Sequence, residues 1–545
     1  MGFWPTYLFF YVWKEILTSM KNKLLSGAFW MSFGSIFSRV LGILYIIAWL
    51  AMFHSPQQQY TAQALYNAAY TPYGLFLALG TSGFPTAISR KIAYYNSRKR
   101  YLDSKRLFKA GLLFMALSGL ICGLVFFIFA PTIAKSSPIM DQAAATFVLR
   151  SLVPALMILP TMSIIRGWFQ GHQDMKPFGV SQLIEQFIRV VAILVFTFVS
   201  FNVLKQGLTW AVALSTFAAF IGALGSLAYL GKYYRAQLPT YRANEAESLP
   251  ASQLDIKGLF LEIVKEAVPF VFVGAGVTIN QIIDQLTFKH LMLWASNYDM
   301  NYIQNMFTFF SANPTKITTI IISLATALSD TSLPILAGLV GNRQKIAQTL
   351  SDNFKLMITL LIPFVAILTV LAQEVNTIFF GYNWAAGQLM AASIMLSLIL
   401  SFFLDVSTLI QALGKHRLAV ILLSFSLLLK LALQAPLIWL FHEYGALLAT
   451  TIAFASSLAL GLWYLNRTYL TDRRANLSWL KPSLGIGIYV LGLGLLAKPL
   501  SLLSLGHGKV AALITCVIFG LVAGSYYLVI AYLFRFKDLL KSMNR

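Results

Sequence analysis

The sequence predicts an all-α polytopic membrane protein of about fourteen transmembrane helices. Three observations carry that prediction. Of 545 residues, 58% are hydrophobic and only 11% are charged, too apolar for a soluble domain. Apolar runs of around 20 residues, enough to cross the hydrocarbon core as a helix, recur along the whole chain. The cations gather in alternate loops, as in proteins whose cytoplasmic loops are positive. No connection exceeds roughly 30 residues, which leaves no room for a folded soluble catalytic domain.

The first six spans fall at roughly 26–53, 62–88, 107–130, 143–165, 178–200 and 209–230. The loop from Gly231 to Gly258 is polar, contains Pro239, Pro250, Glu245 and Glu247, and reads as a linker. Eight further spans follow at roughly 261–285, 313–337, 352–373, 388–412, 418–440, 445–465, 483–503 and 509–533. With the N-terminus inside, the cytoplasmic segments carry about 29 Lys and Arg and the external ones about five, so both termini are expected in the cytoplasm of a cell-membrane protein. The domain boundaries are then roughly 1–25 for an interfacial segment, 26–230 for an N-lobe, 231–260 for the linker, 261–465 for a C-lobe, and 466–545 for the last two spans and a tail. Met1–Ser19 is too short to span and has no small-residue cleavage site. Because Met20 precedes KNKLL and the first span, that segment reads as either an upstream start or an interfacial stretch.

The two halves echo one another. Leu79 and Leu328 each stand six residues before a proline, Pro85 and Pro334. Gln170 and Gln411 each precede a cation by nineteen residues, Arg189 and Lys430. Matches in corresponding spans predict a parallel repeat of six helices, with Pro85 and Pro334 at matching gate positions. Span seven, KEAVPFVFVGAGVTINQIIDQL, holds Pro269, Gly274 and Gly276, which serve a bend, close helix packing, or both.

Charge inside the spans is the main clue to function. An arginine at mid-membrane costs roughly 3 kcal/mol on insertion scales and normally faces a cavity or a partner. Arg39 is central in span one, with no acid at helical spacing from it. Arg150, Arg189, Lys316 and Lys430 also lie in apolar segments, and Arg166 opens RGWFQGHQDMKP at the expected cytoplasmic mouth. Several buried cations point to an anionic substrate, with Arg39, Arg150, Arg166, Arg189 and Lys316 as its candidate ligands. Snorkelling competes at Arg150 and Lys316, anchoring at Arg166, and a local ion pair at Glu185 and Arg189, which are four residues apart. Asp284, Asp405 and Lys430 are candidates for charge balance or coupling, as is Glu185; Lys430 is expected to meet Asp405 across helices.

Other classes are excluded by what is missing. There is no paired-cysteine metal motif, Walker loop or nucleophile elbow, so neither an enzyme nor an ATP-driven pump is expected, and no cofactor or metal. Cys122 and Cys516 read as small buried hydrophobes. The formal charge of +22 is distributed for membrane topology rather than for nucleic acid, and RKIAYYNSRKRYLDSKR is expected on anionic lipid headgroups.

FSRVLG, Phe37–Gly42, resembles the start of the MurJ lipid II flippases, and Arg166–Val190 resembles the signature of the YtgP/SpoVB polysaccharide-biosynthesis membrane proteins. Both belong to the MOP exporter superfamily, which also holds the MATE transporters. The resemblance covers essentially Met20 to Arg545. It implies two six-helix lobes in a V, two added C-terminal helices, and a central cavity in which Arg39 matches a position thought to hold lipid pyrophosphate. It departs from that family at Tyr45 and Ile46, where an arginine and an aspartate are usual, and at Phe76 and Leu77, in place of an arginine pair. The implied function is translocation of undecaprenyl-pyrophosphate-linked lipid II from the inner to the outer leaflet. The alternatives are a capsule- or teichoic-type lipid-linked precursor, or a cation-coupled drug exporter of MATE type. The implied partners are the lipid-linked oligosaccharide pyrophosphate, anionic lipids and cell-wall synthesis proteins.

Overall fold

The computed structural model describes residues 44–81, 84–250, 271–339, 342–470, 480–502 and 508–534, with a few isolated positions beside them. These residues are almost entirely helical, and no strand occurs among them. The helices are α1 (Pro56–Thr81), α2 (Phe84–Ser97), α3 (Tyr101–Ser136), α4 (Gln142–Ser151), α5 (Val153–Gly171), α6 (Lys176–Thr197) and α7 (Leu208–Ala246). They continue with α8 (Gly276–Ala295), α9 (Met300–Phe307), α10 (Asn313–Gly338), α11 (Arg343–Val370) and α12 (Ala372–Phe380). The last are α13 (Trp384–Ala412), α14 (His416–Phe441), α15 (Glu443–Thr468), α16 (Leu480–Leu502) and α17 (Lys509–Leu533). π-Helical turns follow α6 and join α9 to α10. Among the described residues, nine helical segments are long and apolar enough to cross a membrane.

Local chemistry sets the helix starts. Ser55 Oγ accepts from Gln58 N while Gln58 Oε1 accepts from Ser55 N, a reciprocal capping box, and Pro56 occupies the first helical position. Helix α1 therefore begins six residues before the expected span and absorbs part of a stretch read as a loop. Asn342 and Asn383 cap α11 and α13 in the same way through their side-chain oxygens. Helix α7 likewise overruns expectation. It continues to Ala246, through the region read as a linker from Gly231, because KYYRAQLPTYRANEA is rich in helix formers and Pro239 does not end it. Its far end is held by Lys105 on Glu245 at 2.5 Å and by Leu249 N on the Lys99 carbonyl.

The described residues group into two compact units. One holds those up to Met52, Pro72–Pro131 and Ala143–Val271; the other holds Phe53–Thr71, Thr132–Gln142 and Phe272 onward. In the first, α7 lies along α6 so closely that a Cβ on Gly222 would sit 2.6 Å from the Glu185 carbonyl. In the second, α13 lies at the centre of α10, α11, α12 and α15, around a core that includes Phe288, Phe307, Phe310, Phe354, Phe403 and Phe454. Helices α16 and α17 pack on α11 and α12.

Prolines inside these helices free the carbonyl four residues earlier. Two such carbonyls in the second unit are met by side chains. Pro72 frees Ala68, whose oxygen accepts from Gln285 Nε2 at 2.8 Å; the same nitrogen donates to Ser137 Oγ. Pro363 frees Thr359, which accepts from Tyr527 on α17 at 2.7 Å. Ser393 Oγ also donates to the Phe310 carbonyl in the π-helical turn before α10. In hydrocarbon no water could take these roles.

Gln285→Leu should therefore lower stability by about 1–3 kcal/mol, the desolvation cost of an unpaired carbonyl. Adding Pro72→Ala, which returns a backbone N–H to Ala68, should recover part of the loss. Thermal unfolding of the purified variants in detergent measures both, and equal melting temperatures for wild type and Gln285→Leu would refute the role of Gln285.

Candidate site: charged groups inside the spans

Arg39 lies outside the described residues, and so does the side chain of Pro334, which falls within α10. The other candidate residues fall into distinct settings.

In the first unit, Arg166 at the end of α5 reaches into α6 and α7. Its Nε donates to Ser181, and one terminal nitrogen donates to Glu185 at 2.9 Å and to Ser226. Arg189 donates to the other Glu185 oxygen at 2.5 Å. The three side chains are between 11% and 20% exposed, so this is a largely desolvated triad with one excess positive charge. Gly222 makes room for it by letting the α7 backbone approach Glu185 and Arg189. The local Glu185–Arg189 pair was legible from its spacing, whereas the share of Arg166 in it was not. Arg150 stands apart, with its guanidinium 4.3 Å from the centre of the Phe127 ring and its buried Nε without a hydrogen-bond partner.

In the second unit, Lys430 does not meet Asp405. Its ammonium is fully buried and lies 2.8 Å from Asp284, 2.8 Å from Thr450 Oγ1 and 3.3 Å from the Asn280 carbonyl. The reason is helix rotation. Leu423, Ser426, Lys430 and Gln434 form the stripe of α14 that faces α8. A Cβ at Gly276 would come within 2.7 Å of Leu423, so that glycine sets the close approach. Asn280 and Asp284 follow Gly276 at four-residue steps on the same face of α8. Gln434 completes the set by donating to Asp284 at 2.8 Å. The paired four-residue spacings of Asn280 with Asp284 and of Lys430 with Gln434 were the available signal for this contact.

Asp405 is instead held by neutral donors. Ser329 Oγ lies 2.5 Å from one oxygen, and Asn353 Nδ2 lies 3.0 and 2.9 Å from the two. Lys316, on α10, lies 4.8 Å from the centre of the Tyr66 ring. Tyr66 in turn stacks on Tyr70. Among the described residues, no carboxylate lies within 4 Å of Lys316 or Arg150.

The hinge and gate candidates are also placed. The helix of span seven is interrupted at Ala275, between Gly274 and Gly276. Gly274 is exposed with nothing near its absent Cβ, so of the two only Gly276 serves packing. Pro269 lies in the helical stretch before that break, and Pro85 is the second residue of α2.

Two predictions concern the first unit. Glu185→Gln should cost about 3 kcal/mol by stranding two guanidinium groups, and recovery should require neutralising both Arg166 and Arg189, not Arg189 alone. Folded yield and melting temperature of the single, double and triple variants test this; full recovery in Glu185→Gln with Arg189→Gln would remove Arg166 from the triad. His172, in the turn after α5, is pushed below its ordinary pKa by burial against Trp168 and Tyr241. A depressed histidine is neutral when folded and takes up a proton more readily when unfolded. Stability is thus present above about pH 6.5, the unfolded value, and declines as pH falls below it. His172→Phe should flatten that decline in a pH series of melting temperatures, and an unchanged slope would count against it.

The chain was compared with known proteins. A family model described as polysaccharide biosynthesis protein matches residues 24–340. The lipid II flippase MurJ of Bacillus subtilis (strain 168) is 32% identical over 536 residues, 94% of this chain and 96% of that protein. Stage V sporulation protein B of the same organism is 30% identical over 166 residues, about a third of each chain. A solved structure of a lipid II flippase MurJ in an inward closed conformation has a TM-score of 0.64 at 17% identity, covering 94% of this chain and 99% of that one. An inward-facing multidrug resistance MATE family transporter of the MOP superfamily gives 0.61 at 15%, covering 79% and 94%. At those identities the two structures speak for the fold, which is the all-α polytopic membrane fold expected. With more than half of its length matched by one family model, the chain belongs to the polysaccharide biosynthesis protein family, as a multi-pass membrane protein.

Proposed function

We propose that the chain is a lipid flippase that moves an undecaprenyl-pyrophosphate-linked peptidoglycan precursor, lipid II, from the inner to the outer leaflet by alternating access. The observation that carries this reading is Lys316. Arg166, Arg189 and Lys430 are each committed to a carboxylate, whereas Lys316 sits against an aromatic ring with no acid in reach among the described residues. An intramembrane ammonium in that state is a standing site for an anion. The curated relative named as a lipid II flippase, matched along 94% of the chain, supplies the class of anion.

In this reading Lys316 meets the pyrophosphate within the second unit, and Arg39 and Arg150 stay candidate cations for the same cargo on the sequence argument. Arg166 and Arg189, tied to Glu185, act by fixing α5 against α6 and α7 rather than by direct contact. The polyprenyl tail stays in lipid. The break at Ala275 lets span seven bend, Pro85 and Pro334 mark the gate ends, and the two halves, 26–230 and 261–465, act as rocking lobes joined by the 231–260 segment. Both termini lie in the cytoplasm, anionic lipids contact the basic stretch Arg90–Arg106, and cell-wall synthesis proteins supply or receive the cargo. No bond is made or broken, so neither enzyme chemistry nor a cofactor is involved. A cargo of charge about −2 moving outward across an inside-negative potential gains roughly 4–5 kcal/mol per 100 mV, so an ATP site is not required. The breadth of the matched family favours one second reading, a different lipid-linked polysaccharide precursor carrying the same pyrophosphate.

Lys316→Ala and Arg39→Ala should each abolish rescue of cells depleted of their lipid II flippase while protein levels stay near normal. Lys316→Arg should keep partial activity, because the charge survives. Lipid II accumulating in the inner leaflet of the alanine strains is the expected readout. Full rescue by both alanine variants would defeat the proposed anion site, and rescue failure without lipid II accumulation would point to the other glycan.

A further inference from the structure

Four side chains on α13 lie at four-residue steps along one face: Ser393, Ser397, Ser401 and Asp405. All are buried; Ser401 and Asp405 are fully so. Each step advances the helix by about 6 Å. The first two serines line a cavity of about 50 Å³ in the second unit, walled on its polar side by Asn280, Gln281, Asp284 and Thr315. That volume holds a few waters, at about 10–15 Å³ each. Ser401 Oγ, between the cavity and Asp405, is buried with no hydrogen-bond partner. A polar atom in that state lacks only a water or a mobile proton carrier.

At the far end of the stripe, Asp405 has no countercharge within 4 Å among the described residues. The cations on the helices packed against α13 make no ion pair with Asp405. Lys316 lies over Tyr66, Lys355 pairs with Asp352 at 3.3 Å, and Lys430 pairs with Asp284. Arg343 donates to the Thr468 carbonyl and Arg467 lies over Trp463. Lys345 on α11, together with Lys415, His416 and Arg417 around the start of α14, makes no ion pair with Asp405. The remaining acids on those helices are Asp330 on α10, Glu374 on α12 and Glu443 on α15, and none of them can neutralise a carboxylate.

The partners of Asp405 suit both its protonation states. As a carboxylate it accepts from Ser329 Oγ and from Asn353 Nδ2. The same Ser329 hydroxyl has a second acceptor, the Ala325 carbonyl at 3.1 Å. On protonation, Asp405 donates to Ser329 Oγ, and the serine turns its own hydrogen to Ala325. Asn353 keeps donating from Nδ2 while its Oδ1 accepts from Ser332 Oγ at 2.8 Å. One proton enters, one charge is cancelled, and no hydrogen bond is lost.

We propose that Asp405 is a proton-binding site, reached from the cavity along Ser397 and Ser401 with water bridging the steps. The site joins α10, α11 and α13 within one unit and stands independently of the identity of the cargo. Infrared difference spectroscopy of the purified full-length protein in lipid, titrated with acid and base, tests it without any transport assay. The expected result is a protonated-carboxyl band that titrates in the wild type and is lost in Asp405→Asn. In Ser329→Ala, where the acid keeps its place but loses its acceptor, the band should shift. In Ser401→Val, its exchange on transfer to heavy water should slow. An identical band in Asp405→Asn, or no protonated band at any pH at which the wild type stays folded, overturns the site. A band unmoved in Ser329→Ala overturns the serine switch, and wild-type exchange in Ser401→Val overturns the path from the cavity.

Discussion

A polar group in hydrocarbon has no water to fall back on, and leaving it unpaired costs several kcal/mol. That constraint accounts for key side-chain contacts between helices in the second unit. Pro72 and Pro363 each break a backbone bond, and Gln285 and Tyr527 each supply a donor to the freed carbonyl. The repairs also decide packing. Tyr527 can reach the Thr359 carbonyl only if α17 lies against the kinked stretch of α11, so a proline in one helix fixes the seat of the last helix described. Gln285 uses both hydrogens of one amide nitrogen, which holds α8 to residue 68 of α1 and to the end of α3 at once.

The same constraint sorts the charges. A desolvated ion pair is not in itself a source of stability, since the desolvation cost rivals the attraction, but a desolvated ion without a partner is strongly unfavourable. Glu185 with two arginines and Asp284 with Lys430 are arrangements that limit this cost. The ammonium of Lys430 is ringed by a carboxylate, a hydroxyl and a carbonyl, and the rotation of α14 that permits it follows from a glycine in the facing helix. Once these groups are paired, what is left over among the described residues becomes informative: Lys316 and Arg150 lie against aromatic rings, and Asp405 lies among neutral donors.

Much of this was legible in the sequence, and the failures have physical causes. Length and hydropathy of each run are local properties, so the all-α membrane fold could be read directly. So could the Glu185–Arg189 pair, because four residues make one helical turn. The start of α1 was misplaced because the Ser55–Gln58 capping box lies in a polar stretch that hydropathy reads as loop. The end of α7 was misplaced because hydropathy falls at residue 230 and the polar stretch beyond it, with Pro239, reads as a linker, while its alanines, arginines and glutamates carry the helix on. The Lys430 contact was assigned to the wrong acid because a pairing across helices depends on rotation and depth, which no spacing within one helix reports. Only the coincidence of Gly276, Asn280 and Asp284 with Leu423, Lys430 and Gln434 encodes it.

The contrast between Lys430 and Lys316 bears on function more than either residue alone. The two lysines carry the same charge in the same unit, and the chain provides oxygen ligands for one and an aromatic face for the other. A ring quadrupole contributes about 0.5–2 kcal/mol to a nearby cation, well below the several kcal/mol that desolvating an ammonium costs. Tyr66 therefore holds Lys316 in position without satisfying it. A methionine or leucine at that place would fill the volume at no electrostatic cost, so packing does not explain the residue. In the proposed flippase reading the residue is explained by an anion that arrives and leaves, for which a permanent carboxylate partner would be a competitor. Among the described residues no carboxylate lies within 4 Å of Lys316, as the proposed reversible anion site requires.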